Sequence, residues 1–294
     1  MFSIAALFGQ PDHAIVQRQM RSVAQWLDRA GVRVLVAEAS EDVEAERVAE
    51  SELADLADLF IAIGGDGTML YAARVAVGKD IPLLGINLGR LGFLTDISPD
   101  EVEASLTAVL NDEALSETRL LLQASVTRDG TEIASALAMN DVVLGRCDTG
   151  RMIDFQTRVN GTFVNDHAGD GLIAATATGS TAYALSCGGP IMQPGVSAIA
   201  LVPVCPHTLS DRPIVLPSTV HIEVQRTGHY ETAAEISVDG QFLAPLDSGD
   251  TLSIKAAEQR LKLIHPPGYD YFELLRSKLN WGANSRRRKN RDQD

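Results

Sequence analysis

Cysteine is scarce in this sequence, and that scarcity excludes two kinds of small, covalently stabilised architecture. The three cysteines, Cys147, Cys187 and Cys205, are an odd number and are widely spaced in a chain of 294 residues. They therefore form neither a disulfide framework nor the paired spacing of a zinc site. Cysteines that remain unpaired are typical of a reducing compartment, so the sequence predicts a cytoplasmic protein.

Long apolar runs and basic charge are lacking as well. No apolar run reaches the length of a membrane-spanning helix. Residues Met1 to Phe8 are apolar, but they are few and lack a basic leader, which indicates a first strand rather than a signal peptide. Only 25 Lys and Arg oppose 39 Asp and Glu, which leaves a net charge of −14. Such a chain repels phosphate backbones and anionic lipid, so neither nucleic acid nor a membrane is expected as the main partner.

The first third of the chain alternates apolar runs with amphipathic stretches. A helix is expected to begin at Asp12, which can cap it, and to stop at Gly31. A second amphipathic stretch is expected from Val43 to Leu56. Four apolar runs are predicted to be strands: Ser3 to Phe8, Val32 to Val36, Leu59 to Ile63 and Ile81 to Ile86. This alternation predicts a Rossmann-like α/β domain with a parallel sheet covered on both faces.

From about Leu120 the segments become short and alternating, which is typical of antiparallel strands. Asp129-Gly130 and Asn160-Gly161 lie between such segments and predict two-residue hairpin turns. We therefore expect an α/β domain over 1–118 and a β-rich domain over 119–266. Helical spacing returns near the end, so residues 267–294 are expected to form a helix that packs on the first domain, followed by a basic, solvated tail.

The segment Gly64-Gly65-Asp66-Gly67-Thr68 follows one predicted strand and precedes a helix. Loops at the carboxyl ends of parallel strands are where ligands bind in open α/β sheets. Glycines let the backbone approach a ligand, Thr68 is predicted to cap the helix, and the Asp66 carboxylate can orient a hydroxyl nucleophile and accept its proton. A tight turn that uses Gly and Asp for backbone reasons alone explains the segment equally well.

A second glycine-rich segment, Gly85 to Leu94, follows the next strand and is expected to face the same crevice. Within it, Arg90 is either a phosphate contact or an exposed surface residue. Phe93 either stacks on a base or closes the core. Backbone N–H groups in such loops can hold phosphate even on an acidic protein.

Two polar segments stand out in the β-rich half. Asn140-Asp141 combines an amide with a carboxylate, which suits the adjacent hydroxyls of a ribose, although an Asx turn also accounts for the pair. Residues 169–183 place four Thr and Ser hydroxyls around Gly179 in an apolar setting. Buried hydroxyls are costly unless hydrogen-bonded, so a ligand or capping role is favoured over inert core.

These segments together resemble the NAD kinase family. That family carries a Gly-Gly-Asp-Gly loop, a Gly-Ile-Asn-x-Gly-x-Leu-Gly-Phe-Leu segment, an Asn-Glu pair and a long Asp-Gly-x-x-x-x-Thr-Pro-Thr-Gly-Ser-Thr-Ala-Tyr run. The first loop is shared with phosphofructokinases and diacylglycerol-type lipid kinases. The long run at Asp170–Tyr183, called the Thr/Ser run below, is not shared with them. The matches follow the family order, at Gly64–Gly67, Gly85–Leu94, Asp170–Tyr183, Ser186–Pro190, Pro206–Ser210, Arg212-Pro213 and Asp239–Gln241.

The resemblance implies a phosphotransferase that moves the γ-phosphoryl of ATP, or of polyphosphate, to the 2′-hydroxyl of the adenosine ribose of NAD. It implies an α/β domain and a β-rich domain with the active site between them, and a dimer or tetramer. A divalent metal, usually Mg²⁺, is expected with ATP and without dedicated protein ligands. Asp66 is the expected catalytic group. NAD contacts are expected from Asp66, Gly67, Asn140, Asp141, Arg151, Asp170, Thr181, Ala182, Tyr183, Ala184, Leu185, Ser186 and Gln241.

The chain departs from the family pattern at three positions. Asp141 replaces the usual Glu, which shifts the reach of the carboxylate by about 1.5 Å. Ala177 replaces Pro, and Ala168 lies where many bacterial relatives have Arg. His207 is interpreted as a structural histidine, hydrogen-bonded near a subunit contact, rather than as an acid or base.

Two other functions remain open at this point. A sugar or lipid kinase sharing the first loop leaves the Thr/Ser run without a role. A non-catalytic NADPH sensor needs the pockets but not Asp66.

Overall fold

The computed structural model describes residues 2–40, 43–89, 92–147, 151–227 and 232–279. The chain divides into two compact units. Residues 1–117 and 262–294 form the first unit, and residues 118–261 form the second. Arg90, Leu91 and the basic tail lie outside the described residues.

The first unit is built on a parallel sheet with the order β5-β4-β1-β2-β3. Its strands are β1 (Ile4–Phe8), β2 (Arg33–Ala37), β3 (Glu46–Val48), β4 (Leu59–Gly64) and β5 (Leu83–Asn87). Its helices are α1 (Ala14–Arg29), α2 (Glu50–Leu56), α3 (Asp66–Ala76), α4 (Val102–Leu110) and α6 (Tyr271–Leu279).

Burial explains why the strands of this unit are continuous apolar runs rather than alternating ones. In β4, every side chain from Leu59 to Ile63 is 0% exposed. Helix α1 contributes an apolar stripe that includes Met20 and Leu27, both also 0% exposed, to the same core. A parallel sheet covered on both faces requires this pattern, so the predicted α/β fold of the first unit is confirmed.

Two local predictions for this unit are wrong. Helix α1 is capped by His13 instead of Asp12, because the imidazole Nδ1 accepts a hydrogen bond from the N–H of Val16 at 3.4 Å. The stretch from Val43 to Leu56 is not one helix, since the short strand β3 pairs with the open edge of β2 before α2 begins.

The second unit is β-rich and antiparallel, as predicted. Its strands are β6 (Leu115–Arg128), β7 (Thr131–Ala138), β8 (Asp141–Arg146), β9 (Ile153–Val159), β10 (Thr162–Gly169), β11 (Gly171–Thr176), β12 (Ala198–Val204), β13 (Ile214–Pro217), β14 (His221–Arg226), β15 (Ala234–Val238), β16 (Gln241–Pro245) and β17 (Thr251–His265). One short helix, α5 (Tyr183–Ser186), follows the Thr/Ser run.

The strands of the second unit form two layers that share one core. One sheet has the order β13-β12-β11-β8-β15-β16, and the other contains β10-β9-β14-β17 and the β6–β7 hairpin. Phe155 and Ile222 of the latter layer lie in the same buried cluster as Leu144 and Leu172 of the former. The last residues of β17 belong to the first unit, where Leu263 and Ile264 pair with β5.

The predicted two-residue turns are confirmed. Asp129-Gly130 joins β6 to β7 with φ values of +48° and +78°, and Asn160-Gly161 joins β9 to β10 with +50° and +75°. Among the helices of the described ranges, none combines the length and apolar character that a membrane crossing requires.

Candidate active site

The Asp66 carboxylate is held by the backbone of the second glycine-rich loop. Its Oδ2 accepts the N–H of Phe93 at 3.0 Å, and its Oδ1 accepts the N–H of Leu94 at 3.1 Å. Asp66 is the first residue of α3, where the unpaired N–H groups of the helix start also favour a negative charge. The two glycine-rich segments thus meet at one half-buried carboxylate.

Gly92 makes this arrangement possible. A Cβ at this position would lie 1.9 Å from Asp66 Oδ1 and 2.5 Å from Thr95 Oγ1, so only glycine leaves room for the carboxylate. Phe93 is half-buried, and the group that reaches Asp66 is its N–H rather than its ring. The prediction that Thr68 caps α3 is wrong, because the helix begins at Asp66 with Gly65 as its N-cap.

A cavity of about 320 Å³ opens beside the first glycine-rich segment, at Gly67 and Thr68. It lies at the carboxyl ends of β1 and β2 and is lined also by Gly67, Thr68 and Tyr71 of α3, which follows β4. The chain runs from β1 to β2 on one side and later to β4 on the other, and open α/β sheets bind ligands at the carboxyl ends of strands where the order reverses in this way. Its lining includes Phe8, Gly9, Ser40, Gly67, Thr68 and Tyr71.

In the second unit, a single carboxylate orders the segment 139–141. Asp239 Oδ1 accepts the N–H groups of Asn140 and Asp141 at 2.8 and 3.1 Å, and Oδ2 accepts that of Met139 at 2.9 Å. Asp239 has a φ of +47° in the turn between β15 and β16. This role of Asp239 was not predicted from the sequence, although an Asp-Gly pair between alternating segments signals a hairpin turn.

The Asp141 carboxyl is the buried acid of this segment. The residue is 5% exposed, and no group in the described part of the chain donates a hydrogen bond to its carboxyl oxygens. Burial, and after it the negative charge of Asp239, raises the pKa of Asp141 to about 7. A buried acid without a partner is costly for folding alone and points to a ligand.

Hydroxyls of the Thr/Ser run are hydrogen-bonded to the backbone, but no N-cap side chain bonds to the short helical turn Gly179–Thr181 or to α5, so the predicted capping role is not confirmed. Thr176 Oγ1 donates to the carbonyl of Met139 at 2.6 Å and accepts the N–H of Gly179 at 3.0 Å. Ser180 Oγ donates to the carbonyl of Ala177 at 2.6 Å. Gly179 packs against Asn140, since a Cβ on it would lie 2.1 Å from the Asn140 carbonyl oxygen.

Asp170 and Tyr183 line one cavity of about 380 Å³. Arg146, which was not predicted as a site residue, pairs with Asp170 through Nε to Oδ1 at 2.6 Å and Nη2 to Oδ2 at 3.4 Å. Tyr183 is 47% exposed, and partial burial raises the pKa of its hydroxyl. Cys147 and Cys205 line the same cavity.

The remaining predicted site residues differ in exposure. Within α5, Ala184 is buried, Leu185 half-buried and Ser186 exposed, while Thr181 and Ala182 just before it are half-buried. Arg151 and Gln241 are exposed, and Arg151 makes no hydrogen bond or ion pair with any residue in the described ranges. His207 is exposed, and its ring has no hydrogen bond to any described residue, so the expected structural hydrogen bond is not seen.

Two family models match the chain. The ATP-NAD kinase N-terminal domain matches residues 6–114, and the ATP-NAD kinase C-terminal domain matches residues 139–266. The NAD kinase of Halorhodospira halophila is 41% identical over 290 residues, which cover 96% of this chain and 94% of that protein.

Two solved structures share the fold. Yeast NADH kinase complexed with NADH superimposes with a TM-score of 0.88 at 26% identity, covering 96% of this chain and 89% of that one. An NAD kinase from Archaeoglobus fulgidus in complex with ATP superimposes with a TM-score of 0.73 at 27% identity, covering 95% of this chain and 98% of that one.

Substitution of Gly92 by Ala should destabilise the chain, because the added methyl group would lie 1.9 Å from Asp66 Oδ1. We expect the free energy of unfolding to fall by about 1–3 kcal/mol, the usual cost of overpacking. Gly89→Ala is the matched control, since the nearest atom to its Cβ is Asn87 Oδ1 at 4.0 Å. Urea unfolding measures all three proteins, and equal stability of the two variants would contradict the close approach at Gly92.

The raised pKa of Asp141 predicts a pH-dependent stability. The pKa in the folded chain is about 7 against an ordinary 3.8, so the folded state binds this proton more tightly than the unfolded state. The contribution of Asp141 to the stability of the wild type therefore falls as pH rises through that window. The free energy of unfolding of Asp141→Asn, relative to the wild type, should rise by on the order of 2–4 kcal/mol between about pH 4 and pH 7.

The exposed Asp112→Asn is the control for this experiment, and its difference from the wild type should not change over the same window. Urea unfolding at four pH values measures both variants. A flat difference for Asp141→Asn would show that the carboxyl is not a strained buried acid.

Proposed function

The chain belongs to the NAD kinase family, a group of phosphotransferases with an alcohol acceptor, and on that premise we propose how its residues divide the reaction. The γ-phosphoryl group of ATP is transferred to the 2′-hydroxyl of the adenosine ribose of NAD, which yields NADP and ADP. The observation that carries this proposal is the Asp66 carboxylate, fixed by two amides at the ends of neighbouring parallel strands.

Asp66 orients the 2′-hydroxyl and accepts its proton. Each carboxylate oxygen has two lone-pair positions, and the amides of Phe93 and Leu94 occupy one on each. One position per oxygen remains for the ribose hydroxyl. As the ribose oxygen bonds to the γ-phosphorus, its proton passes to Asp66 and ADP leaves. Because phosphoryl transfer proceeds through a loose transition state, positioning supplies most of the catalysis.

The second unit is proposed to bind NAD. The Asn140 amide donates to a ribose hydroxyl, and the buried Asp141 carboxyl accepts from the neighbouring one. Asp170 and Tyr183 line the cavity that receives the dinucleotide, with the Tyr183 ring against a base or sugar. Backbone and side-chain contacts are assigned also to Gly67, Arg151, Thr181, Ala182, Ala184, Leu185, Ser186 and Gln241.

ATP is proposed to bind in the cavity beside Gly67, with its phosphates toward the N-terminus of α3. Mg²⁺ enters as the complex with ATP. Among the residues that the structure describes, no group of three or more His, Cys, Asp or Glu side chains is placed to hold a metal ion. We propose that the metal binds the nucleotide phosphates, where Mg²⁺ keeps most of its water.

We also propose that the chain forms a homo-oligomer, a dimer or tetramer, in the cytoplasm. Both edge strands of the six-stranded sheet expose large apolar side chains: Val215 on β13 is 51% exposed and Phe242 on β16 is 65% exposed. Apolar groups on open sheet edges favour association. The cysteines are free thiols, which a reducing compartment maintains.

Replacement of Asp66 by Asn should abolish most turnover while leaving NAD binding intact, because the amide cannot accept the proton. We expect kcat to fall at least about 100-fold, the usual contribution of a general base. The reaction contains NAD, ATP and Mg²⁺, and a NADP-specific dehydrogenase reports the product. Asp80→Asn, an exposed change at a φ of +53° where Asn is well tolerated, is the matched control.

Parallel reactions distinguish the remaining functions. No NADP from the wild type would exclude the proposed activity and leave a sugar or lipid kinase, or a non-catalytic NADPH sensor. Reactions with polyphosphate instead of ATP, and with NADH instead of NAD, define the donor and acceptor. Full activity of Asp66→Asn would remove Asp66 from catalysis.

Loss of the Tyr183 ring should weaken dinucleotide binding. Tyr183→Ala is expected to raise the Kd for NAD about 10-fold, a typical contribution of one aromatic ring stacked on a base. Tyr183→Phe keeps the ring and should bind nearly as well as the wild type. Calorimetric titration measures both, and equal affinity of the Ala variant and the wild type would show that the ring does not contact NAD.

A further inference from the structure

His265, the last residue of β17, lies between two carboxylates of the first unit. Its Nδ1 is 2.6 Å from Asp96 Oδ2, and its Nε2 is 3.2 Å from Glu117 Oε2. The imidazole is 4% exposed and stacks on the ring of Tyr269 at a centroid distance of 3.9 Å. Both ring nitrogens lie within hydrogen-bond distance of a carboxylate oxygen, so the ring bridges the two acids.

Asp96 belongs to the loop that holds Asp66. It lies two residues beyond Leu94, whose N–H donates to the Asp66 carboxylate. The loop is folded on itself by the bond from Gly92 N–H to the Thr95 carbonyl at 3.0 Å. Asp96 is 10% exposed, so the bond to His265 is shielded from solvent at the base of this loop.

His265, the other partner in the bond to Asp96, is held at the end of a strand of the parallel sheet. Just before His265, Leu263 and Ile264 pair with Leu83 and Leu84 of β5, the strand that leads into the same loop. The loop is therefore held to β5 by its own chain and by the backbone bonds between Ile97 and residues Gly85 and Asn87, and it is held to β17 by the hydrogen bond between Asp96 and His265. Charge-assisted bonds of this kind are the strong ones.

We propose that His265 is a positioning residue for phosphoryl transfer, acting through Asp96 on the loop whose amides hold the Asp66 carboxylate. His265 touches neither NAD nor ATP in this assignment. The inference rests on the proposed catalytic role of Asp66. The two ring nitrogens have different roles in this proposal. The bond from Nδ1 to Asp96 positions the loop, whereas the bond from Nε2 to Glu117 only fixes the orientation of the ring.

Two matched substitutions test the separation. In His265→Asn the amide nitrogen occupies nearly the place of Nδ1 and still donates to Asp96, whereas in His265→Gln it reaches toward Glu117 instead. Each variant loses one of the two bonds. We expect kcat to fall about 10-fold to 100-fold in His265→Gln, as misplacement of a catalytic group costs, and to change less than about 3-fold in His265→Asn. The KM for NAD and for ATP should stay near the wild-type values in both.

Three further variants complete the experiment. Asp96→Ala breaks the same bond from the other side and should reproduce the kcat loss, which keeps the proposal testable if His265→Gln does not fold. Glu117→Gln should leave kcat unchanged. In an Asp66→Asn background, His265→Gln should cause no additional loss of the residual rate, because the ring acts through Asp66.

A purely structural role predicts a different result. It would lower the thermal midpoint without a selective kcat loss, or lower kcat equally in His265→Asn and His265→Gln, and either result would overturn the proposal. Wild-type kcat in a folded His265→Gln enzyme would overturn it as well. If instead Asp66→Asn kept full activity, the proposed function of Asp66 would fail, whatever His265 does, so the two failures are distinguishable.

Discussion

The two hydrogen bonds from the amides of Phe93 and Leu94 to the Asp66 carboxylate are the interaction on which the rest of the site depends. One glycine-rich loop supplies the charge, and the other supplies the N–H groups and, at Gly92, the space. Both loops follow adjacent parallel strands, β4 and β5. The register of this pair places Gly64, the last residue of β4, opposite Asn87, the last residue of β5. The buried sheet therefore sets the position of the carboxylate, and neither loop alone defines it.

In the second unit, too, one carboxylate accepts hydrogen bonds from backbone N–H groups and so fixes the segment that carries site residues. The Asp239 carboxylate binds three successive N–H groups and thereby fixes the segment that begins β8. Gly179 packs directly on the carbonyl of Asn140, so the Thr/Ser run closes the segment from the other side. Held in this way, the Asp141 carboxyl remains buried and accepts no hydrogen bond from any residue that the structure describes, which a flexible loop would not tolerate. A rigid backbone is needed here, because a flexible segment would move the Asp141 carboxyl into solvent.

The sequence predicted what depends on local spacing. The strands of the α/β unit follow from apolar runs, and the hairpin turns follow from the ease with which Asn, Asp and Gly adopt positive φ. Asp66 was found because its glycines surround it. Contacts between distant segments were not predicted: Asp239 lies 99 residues from Asn140, and His265 lies 169 residues from Asp96. No periodicity encodes such pairs, because they depend on which distant strands become neighbours in a sheet, β8 and β15 in one case and β5 and β17 in the other.

Charge compensation explains how an acidic chain can accept an anionic dinucleotide. The formal charge is −14, yet each acid assigned to the site has its charge offset in its own way. Asp66 is offset by two amides and a helix start, and Asp170 by the bidentate contact with Arg146. Burial raises the pKa of Asp141 to about 7, which lowers the average negative charge of this group near neutral pH. The repulsion that the substrate phosphates meet is therefore determined by these three local arrangements and not by the net charge, since exposed charges beyond about 10 Å are screened by salt.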